Sequence, residues 1–459
     1  MTPRVADWIA QSAWKAAALQ LSPYRRRVAC AYEQESRLMW ASQAEAAREQ
    51  ERRLRELLRI AVSAPYWRRV IEQAGVAPEQ FTLSDLTRLP FLTKDLLREK
   101  EQEMRVPAAR GVYANYSGGS TGVPIRFYQD LDYKVHMSVS TRLCNEMAGA
   151  FPGARLAKLW GAPQDKRQIE SPWDRAKLWL LNHRYLDSFD MGPEQMQRFH
   201  FELEEFQPDL MQAYASSIHL LALHLRRRGI RPVYPRVAII SAAERLTPRM
   251  REEIEAVFPV PVFNRYGSRE VSAMAAECDR HAGLHVTWAG HIVETIDPAT
   301  SEPVRGRPGE LVITVLHNHA MPFIRYRIGD VGLIEDAPCA CGRSSPRLLD
   351  VLGRTSDNFL MPDGRIVHGE YFTHLFYGRP EVRQFQFVQN SVEDYELHLV
   401  PGDGYNGELG RSLESEIRSL IGFAARLRIM IREEIPKTAS GKYRFTISRV
   451  KVRELVGTE

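Results

Sequence analysis

The chain has 459 residues, of which 44% are hydrophobic and 26% charged, and its formal net charge is +5. These values indicate a folded protein with a large core and two or more domains, and they exclude a disordered chain. No stretch approaches the roughly 20 consecutive apolar residues of a membrane helix, so no membrane insertion is expected. Five cysteines and an N-terminal segment without a signal-peptide core favour a cytoplasmic protein with reduced thiols.

The predicted elements begin with long helices, because Leu, Ala and aromatic residues recur every three or four positions between residues 30 and 75. Between residues 110 and 350, short β-branched runs alternate with amphipathic segments. A strand at 235–241, a helix at 247–258 and a strand at 259–267 are one example. This alternation predicts α/β layers.

The segment 353–370 is rich in turn residues, and a smaller mixed segment follows it to the C-terminus. Turn-rich segments between periodic ones are typical of domain boundaries. We therefore place a boundary near Asp357.

A glycine- and hydroxyl-rich stretch, YSGGSTGVP, occupies residues 116–124. Glycines allow positive φ angles and close backbone approach, so successive N–H groups can converge on an anion. Ser117, Ser120 and Thr121 add hydroxyl donors. The stretch predicts a phosphate-binding loop, although a plain hairpin turn would have a similar sequence.

Four further segments carry polar residues beside turns: NRYGSRE at 264–270, RYRIGD at 325–330, LGRTSD at 352–357 and PKTASGKYR at 436–444. In this order, and together with the glycine loop, they resemble the adenylate-forming superfamily of acyl- and aryl-CoA ligases. The resemblance extends from about residue 110 to residue 445. Within the superfamily, the chain is similar to the phenylacetate–CoA ligase family, including its relatives in capsular polysaccharide gene clusters.

This resemblance implies an α/β fold of two domains. A large ATP- and carboxylate-binding domain with mixed and parallel sheets would span residues 1–356, with a helical start over about 1–100. A small, mobile α+β lid domain would span residues 357–459 and turn at the hinge Asp357. The implied reaction joins a carboxylate to the α-phosphate of ATP, releases pyrophosphate, and passes the acyl group to an acceptor. Such chemistry requires charge neutralisation and alignment, which a donor-rich loop, Mg²⁺ and one cation can supply.

The resemblance also implies roles for single residues. Tyr266 would stack on adenine, Asp330 would accept hydrogen bonds from the ribose hydroxyls, and Arg354 would position the ribose or phosphates. Glu270 would bind Mg²⁺, and Lys442 would bridge the attacking carboxylate and the α-phosphate. The other predicted nucleotide-binding residues are Ser117, Gly118, Gly119, Ser120, Thr121, Gly122, Gly267 and Ser268.

Two short segments, ECDRH at 277–281 and PCACGR at 338–343, carry closely spaced metal-ligand residues. Three thiolates and one imidazole suit tetrahedral Zn²⁺, and four protein ligands would make the zinc structural. The phenylacetate–CoA ligase family is similar here, with a structural zinc in some members. His285 competes for the fourth position, and two unrelated pairs of buried thiols are the alternative. The predicted zinc ligands are Cys278, His281, Cys339 and Cys341.

The acceptor and the acid are less defined by the sequence. After GRTSD, CoA-forming relatives continue with an Arg-Gly turn, whereas this chain reads NFLMPDGRIVHGEYF. CoA is the first expectation, and an amine on a sugar or an amino acid is the alternative. Aromatic pocket walls favour a planar or apolar acid. The predicted pocket residues are Trp160, Ala213, Tyr214 and Ser241.

A zinc-containing, basic nucleic-acid-binding protein is a hypothesis of another class, supported by the Cys/His set and an arginine-rich helix. The arginines share that helix with glutamates, and the Cys pairs lie far apart in α/β sequence, which favours the ligase. The expected partners are therefore the carboxylic acid, ATP and the acyl acceptor, with no nucleic acid. The expected assembly is a monomer or a homodimer.

Overall fold

The computed structural model describes residues 22–117, 125–151, 153–160, 171–188, 193–354, 358–363, 366–368, 372, 375–376, 379, 381–436 and 444–450. The predicted loop residues 118–122, the hinge Asp357 and the predicted catalytic Lys442 lie outside these ranges.

The first predicted region, residues 30 to 75, is helical in the structure, as the apolar spacing predicts. Ser42 and Glu45 form a capping box at the start of its longest helix. Across the described part of the chain the α-helices are α1 Pro23–Leu38, α2 Gln43–Ala61, α3 Pro65–Gln73, α4 Lys94–Glu99, α5 Leu131–Met147, α6 Pro172–Leu180, α7 Pro193–Phe206, α8 Ala215–Arg227, α9 Pro248–Glu255 and α10 Gly407–Ile421.

Strands dominate from residue 113 onward. They are β1 Tyr113–Tyr116, β2 Arg126–Gln129, β3 Leu156–Trp160, β4 His183–Asp187, β5 Leu210–Tyr214, β6 Ala238–Ala242, β7 Val262–Ser268, β8 Ser272–Glu277, β9 Leu284–Val286, β10 His291–Ile296, β11 Gly309–Val315, β12 Tyr326–Glu335, β13 Arg347–Arg354, β14 Asn358–Leu360, β15 Ile366–His368, β16 Val382–Ser391, β17 Asp394–Pro401, β18 Arg426–Ile431 and β19 Thr446–Ser448.

One sheet of eleven strands, in the order β10-β11-β12-β13-β9-β8-β7-β6-β5-β3-β4, spans most of these residues. The half from β4 to β7 is parallel, and the half from β7 to β10 is antiparallel. The predicted strand, helix and strand between residues 235 and 267 are β6, α9 and β7. The α/β fold class is confirmed.

Helices cover both faces of this sheet. On one face of the parallel half, α7, α8 and α9 contribute Phe199, Leu221 and Ile254 to a core that also contains Met211 and Ile239 of the strands. A second, larger core joins α1 to α5 with the antiparallel half. Layers of this kind bury most of the sheet surface, and ligands of such sheets bind at the carboxyl ends of the parallel strands.

Residues after the predicted boundary have a core of their own. A four-stranded sheet in the order β18-β17-β16-β19 packs with α10, and β14 pairs with β15. This core contains Phe359, Phe387, Tyr395, Leu413 and Ile417. Among the described residues, no helix is both long and apolar enough to cross a membrane.

Candidate active site

Three parallel strands end together at one edge of the large sheet. β3 ends at Trp160, β5 at Tyr214 and β6 at Ala242. In open α/β sheets, ligands bind outside the carboxyl ends of the strands. The Trp160 and Tyr214 rings stack there, with their centroids 4.2 Å apart. This edge is therefore the candidate active site.

Two predicted nucleotide-binding residues are in contact beside this edge, and the backbone of a third lies opposite one of them. The Tyr266 hydroxyl donates a hydrogen bond to Asp330 Oδ2 at 2.5 Å. Asp330 lies directly opposite Arg354 in the antiparallel pair β12–β13, where the backbone of Arg354 is described. Residues that are far apart in the sequence thus converge at one point, as nucleotide recognition requires.

The turn after Tyr266 admits no side chain at its glycine. A bulge interrupts the β7–β8 register there, and a Cβ on Gly267 would collide with the carbonyl oxygen of Ser272. Ser268 Oγ then accepts hydrogen bonds from the backbone N–H groups of Glu270 and Val271, at 3.2 and 3.4 Å. The turn therefore fixes Glu270, the predicted magnesium ligand, in a buried position.

The glycine loop begins in a hairpin that is tied to the same turn. Ser117 donates its N–H to the carbonyl oxygen of Ile125, and Ser117 Oγ accepts the Ile125 N–H, both at 2.9 Å. Gln129 on β2 donates to the carbonyl oxygen of Arg269 at 2.9 Å, and the Tyr133 hydroxyl donates to that of Glu270 at 3.3 Å. The hairpin that leads into the predicted phosphate loop and the helix after it are thus tied to the turn of the predicted magnesium ligand.

A cation that the sequence analysis missed lies beside Asp330. Lys94, at the start of α4, donates from Nζ to the carbonyl oxygen of Ile328 at 2.8 Å. The next residue, Gly329, has a φ of 91°. The sequence signal was a lysine directly after a helix-capping Thr93, but only the folded chain shows that this helix starts beside β12.

The predicted acid-pocket residues divide between the two faces of the sheet. Ala213 lies opposite Ser241 in the β5–β6 register, and Ala213 belongs to the core beneath α7, α8 and α9. Side chains alternate along a strand, so Tyr214 and Trp160 point to the other face. That Ala213 and Ser241 line the pocket therefore stays a prediction, and they lie on the face opposite to the two aromatic rings. Trp160 and Tyr214 lie at the edge, as expected.

Three of the four predicted zinc ligands lie together, and His285 takes the place of His281 as the fourth member of the group. Ligand atoms of Cys278, His285, Cys339 and Cys341 all lie within 4.8 Å of one another. Cys278 Sγ is 3.9 Å from Cys339 Sγ, and Cys341 Sγ is 3.4 Å from His285 Nε2. His285 Nδ1 lies 3.0 Å from Ser345 Oγ, a contact that can orient Nε2 towards the thiols.

His281, predicted as the fourth member of this group, lies elsewhere. Its Nδ1 is 3.1 Å from Glu277 Oε2, and its ring packs on Phe263. The chain turns between β8 and β9 at His281, whose φ is 49°, and this turn directs the ring away from the thiols. His285, the competing candidate in the sequence, takes its place because β9 returns beside β13.

Burial shifts the pKa values of two of these four residues. Burial raises the pKa of the Cys278 thiol to about 12. Burial, with a contribution from Arg343 and Arg347, lowers the pKa of His285 to about 4. His285 is therefore neutral at pH 7 with a lone pair available, and ionisation of Cys278 requires a nearby cation.

Comparison with known proteins agrees with this geometry. The family described as the CapK C-terminal domain matches residues 359–449. "Protein CapK" of Staphylococcus aureus is 24% identical over 400 residues, which cover 85% of this chain and 86% of that protein. The phenylacetate-coenzyme A ligase of Thermus thermophilus is 27% identical over 429 residues, covering 86% of this chain and 94% of the relative.

Solved structures share the fold. The crystal structure of 2-hydroxyisobutyryl-CoA ligase in the postadenylation state matches with a TM-score of 0.72 and 20% identity, covering 91% of this chain and 93% of that one. O-succinylbenzoate coenzyme A synthetase of Bacillus subtilis, in complex with ATP and magnesium ion, matches with a TM-score of 0.51 and 16% identity, covering 75% and 69%.

The fold matches that of ligases, and the positions of Tyr266, Asp330 and the Arg354 backbone are compatible with an AMP-forming ligase. The chain is similar to proteins of the adenylate-forming superfamily, and within it to the phenylacetate–CoA ligase-like branch.

Proposed function

We propose that this enzyme activates a carboxylic acid with ATP as an acyl-adenylate, releases pyrophosphate, and transfers the acyl group to CoA. The observation that carries the proposal is the hydrogen bond from Tyr266 to Asp330, with Arg354 directly across the strand pair. An ionised carboxylate accepts hydrogen bonds only, which suits the two ribose hydroxyls. The ring of Tyr266 offers a stacking surface for adenine.

Glu270 is the proposed magnesium ligand. Its turn is tied to the hairpin that begins the glycine loop, so the metal would lie between a carboxylate and the loop's N–H and hydroxyl donors. Mg²⁺ prefers oxygen ligands and holds phosphate oxygens in this way. Lys442 would add the single cation that contacts the attacking carboxylate and the α-phosphate.

Transfer to an amine is the second candidate. It is favoured by the segment after the proposed hinge, where NFLMPDGRIVHGEYF replaces the Arg-Gly turn of CoA-forming relatives. The similarity of residues 359–449 to the CapK C-terminal domain falls on this same segment. Supplying CoA or a panel of amines to the preformed adenylate, and identifying the product by mass, distinguishes the two acceptors.

The experiment that tests the proposal is pyrophosphate exchange over a panel of acids, with Lys442→Ala beside the wild type. Loss of one transition-state contact typically costs about a hundredfold or more in rate, so the variant should lose nearly all adenylate formation. Lys437→Ala, in the same segment, is the matched control and should remain active. Exchange at the wild-type rate in Lys442→Ala would reject Lys442 as the catalytic cation.

The second half-reaction shows whether Lys442→Ala impairs only the adenylation step or the whole active site. If the lid swings away before transfer, Lys442→Ala should still pass the acyl group from a synthetic acyl-adenylate at close to the normal rate. Single-turnover transfer measures this step. Equal loss in both half-reactions would contradict the alternating lid.

We also propose that Cys278, His285, Cys339 and Cys341 hold a structural Zn²⁺. Zn–S bonds of about 2.3 Å and Zn–N bonds of about 2.0–2.1 Å place neighbouring ligand atoms about 3.5–3.8 Å apart. The observed separations of 3.9 and 3.4 Å fit such a tetrahedron. Bound cation would also favour the thiolate form of the buried Cys278.

Metal analysis should find one Zn²⁺ per chain. Cys339→Ser should lower thermal stability, because a structural metal stabilises only the folded state, while adenylation persists in protein that stays folded. Cys30→Ser, at an exposed cysteine, is the control. A folded, reduced preparation without stoichiometric metal would contradict the zinc site.

A further inference from the structure

The sheet face that carries Trp160 and Tyr214 is polar where a buried face would ordinarily be apolar. Its lower part is a small apolar cluster that includes Leu156, Leu210 and Phe263. On the same face, two residues after these three apolar residues in their strands, lie Lys158, Gln212 and Arg265. Apolar packing therefore ends about one row of side chains below the active-site edge.

The strand register places Arg265 in the top row of this face. Tyr214 pairs with Ala242 across β5–β6, and Ala242 pairs with Arg265 across β6–β7. Neighbouring strands are about 4.8 Å apart, so Tyr214 and Arg265 stand about 10 Å apart. Ala242, with a single methyl group, lies between them and leaves room for a small ligand.

The charge of Arg265 has no acidic partner within the described part of the chain. Its side chain is buried, with 9% of the residue exposed, and it donates to Asn145 Oδ1 at 3.1 Å. Burial lowers its pKa. The carboxylate of Asp187 lies in the same row of side chains, but it is on β4, four strands away from β7. A buried guanidinium is costly unless an anion pairs with it.

A second polar side chain lies on this face. Gln212 lies one row below Tyr214 and is 6% exposed. Its side-chain amide forms no hydrogen bond to any residue that the structure describes. A side-chain amide in this position can donate to or accept from a polar ligand group.

The surroundings of this face are positive. The pKa of His183 on β4 is lowered to about 3 by burial and by the positive charges of Lys158, Arg25 and Lys177. These three cations come from β3, α1 and α6, so they approach the face from separate elements. These charges lie near the start of β4, at the other end of this face from Arg265.

We propose that the acid lies on this face, above Ala242, and that Arg265 binds a second anionic group of the acid. The inference rests on the proposed function and names its substrate class: a carboxylic acid with an additional carboxylate or phosphonate-like group, in place of the apolar acid expected from aromatic walls. Trp160 and Tyr214 would contact the carbon skeleton, and Gln212 would hydrogen-bond the distal end.

Arg265 has one structural alternative. Asn145 is in the last turn of α5, where a cation is favourable beside the carbonyl end of the helix. A purely structural arginine would stabilise the protein but would not discriminate between acids. The test must therefore compare acids of the same size and shape.

Pyrophosphate exchange with matched pairs of acids makes this comparison. The pairs are glutarate against pentanoate, 4-carboxyphenylacetate against phenylacetate, and 3-phosphonopropanoate against butanoate. At least one dianionic acid should have a KM about tenfold or more below that of its monoanionic partner, as for a charge-assisted hydrogen bond. Arg265→Gln should raise that KM about tenfold or more and change the KM of the monoanionic partner much less. Arg236→Gln, whose partner Asp209 lies at the opposite edge of the sheet, is the control.

A preference for the monoanionic acids, or an equal loss with both members of every pair in Arg265→Gln, would overturn the inference. Thermal shifts with each acid plus AMP keep this result separate from the activity. Stabilisation by dianionic acids in the wild type, but not in Arg265→Gln, would support the binding site even if no acid supports exchange. If no acid stabilises the protein, the inference is rejected; exchange that fails with every acid rejects the proposed function.

Discussion

At Tyr266 and Asp330, one hydrogen bond of 2.5 Å joins the predicted adenine-stacking ring to the predicted ribose acceptor. Hydrogen bonds to charged groups contribute about 1.5–3 kcal/mol. Asp330→Ala removes the acceptor from the ribose and from Tyr266, so we expect KM for ATP to rise by about 10- to 100-fold.

Tyr266→Phe should have a smaller effect on KM for ATP, because the ring remains available to stack. Asp336→Ala is the control, since Asp336 is part of an exposed pair with Arg305. Initial rates of pyrophosphate exchange against ATP concentration measure all three variants. An unchanged KM in Asp330→Ala would show that Asp330 is not a nucleotide ligand.

The proximity of candidate site residues could be predicted from the sequence where these residues lie together in one short segment. Tyr266 and Glu270 flank a glycine turn, and their proximity is set by local backbone geometry. Tyr214 and Ala213 are adjacent in the sequence, but the two-residue alternation of a strand places their side chains on opposite faces. The choice between His281 and His285 likewise depended on a strand pairing that no local pattern records.

Several elements meet at a buried polar cluster that no sequence motif indicates. Glu35 of α1 accepts hydrogen bonds at Oε1 from Arg53 of α2 at 2.9 Å and His136 of α5 at 2.5 Å. His317, after β11, stacks on His136 with the ring centroids 3.3 Å apart. Arg53 also donates to the carbonyl oxygen of Ala289 at 2.9 Å. The cluster therefore joins three helices to the sheet.

Removal of the carboxylate should strongly destabilise this junction. Glu35 is fully buried, and Glu35→Ala leaves the buried Arg53 without this partner. Breaking a buried pair typically costs about 3–5 kcal/mol, and we expect a loss of that size in the free energy of unfolding. Glu33→Ala, in an exposed pair with Arg37 on the same helix, should cost less than about 1 kcal/mol. Denaturant unfolding measures both, and equal effects would contradict this account.

The elements themselves were easier to predict than their contacts. Apolar spacing predicts the N-terminal helices, and Thr247 correctly signals the start of α9 by capping it. The cluster around Glu35 could not be predicted, since its members come from four segments whose contact depends on how helices pack on the sheet. The same holds for Lys94, which reaches β12 because Leu92 bridges to Tyr326.

At the scale of the whole molecule, the structure contains separate hydrophobic cores on the two sides of residue 357. The cores of the large sheet include residues up to Leu348, and the next core begins at Phe359. Short connections between separately packed cores are typical of hinges. The proposed two half-reactions share one edge of the sheet, so a lid that rotates could present a different face to each.

Asp357→Pro tests this hinge. Proline fixes φ near about −65° and also restricts the residue before it, so the variant should slow any rotation centred on Asp357. The rate of each half-reaction, measured alone, should depend on the lid conformation that the variant favours. We expect the complete turnover to slow by about tenfold or more. Asp357→Ala is the matched control, because it removes the carboxylate but keeps the backbone free to turn. If Asp357→Pro and Asp357→Ala slow turnover equally, the side chain matters and the backbone rotation does not; if Asp357→Pro turns over at the wild-type rate, Asp357 is not the hinge.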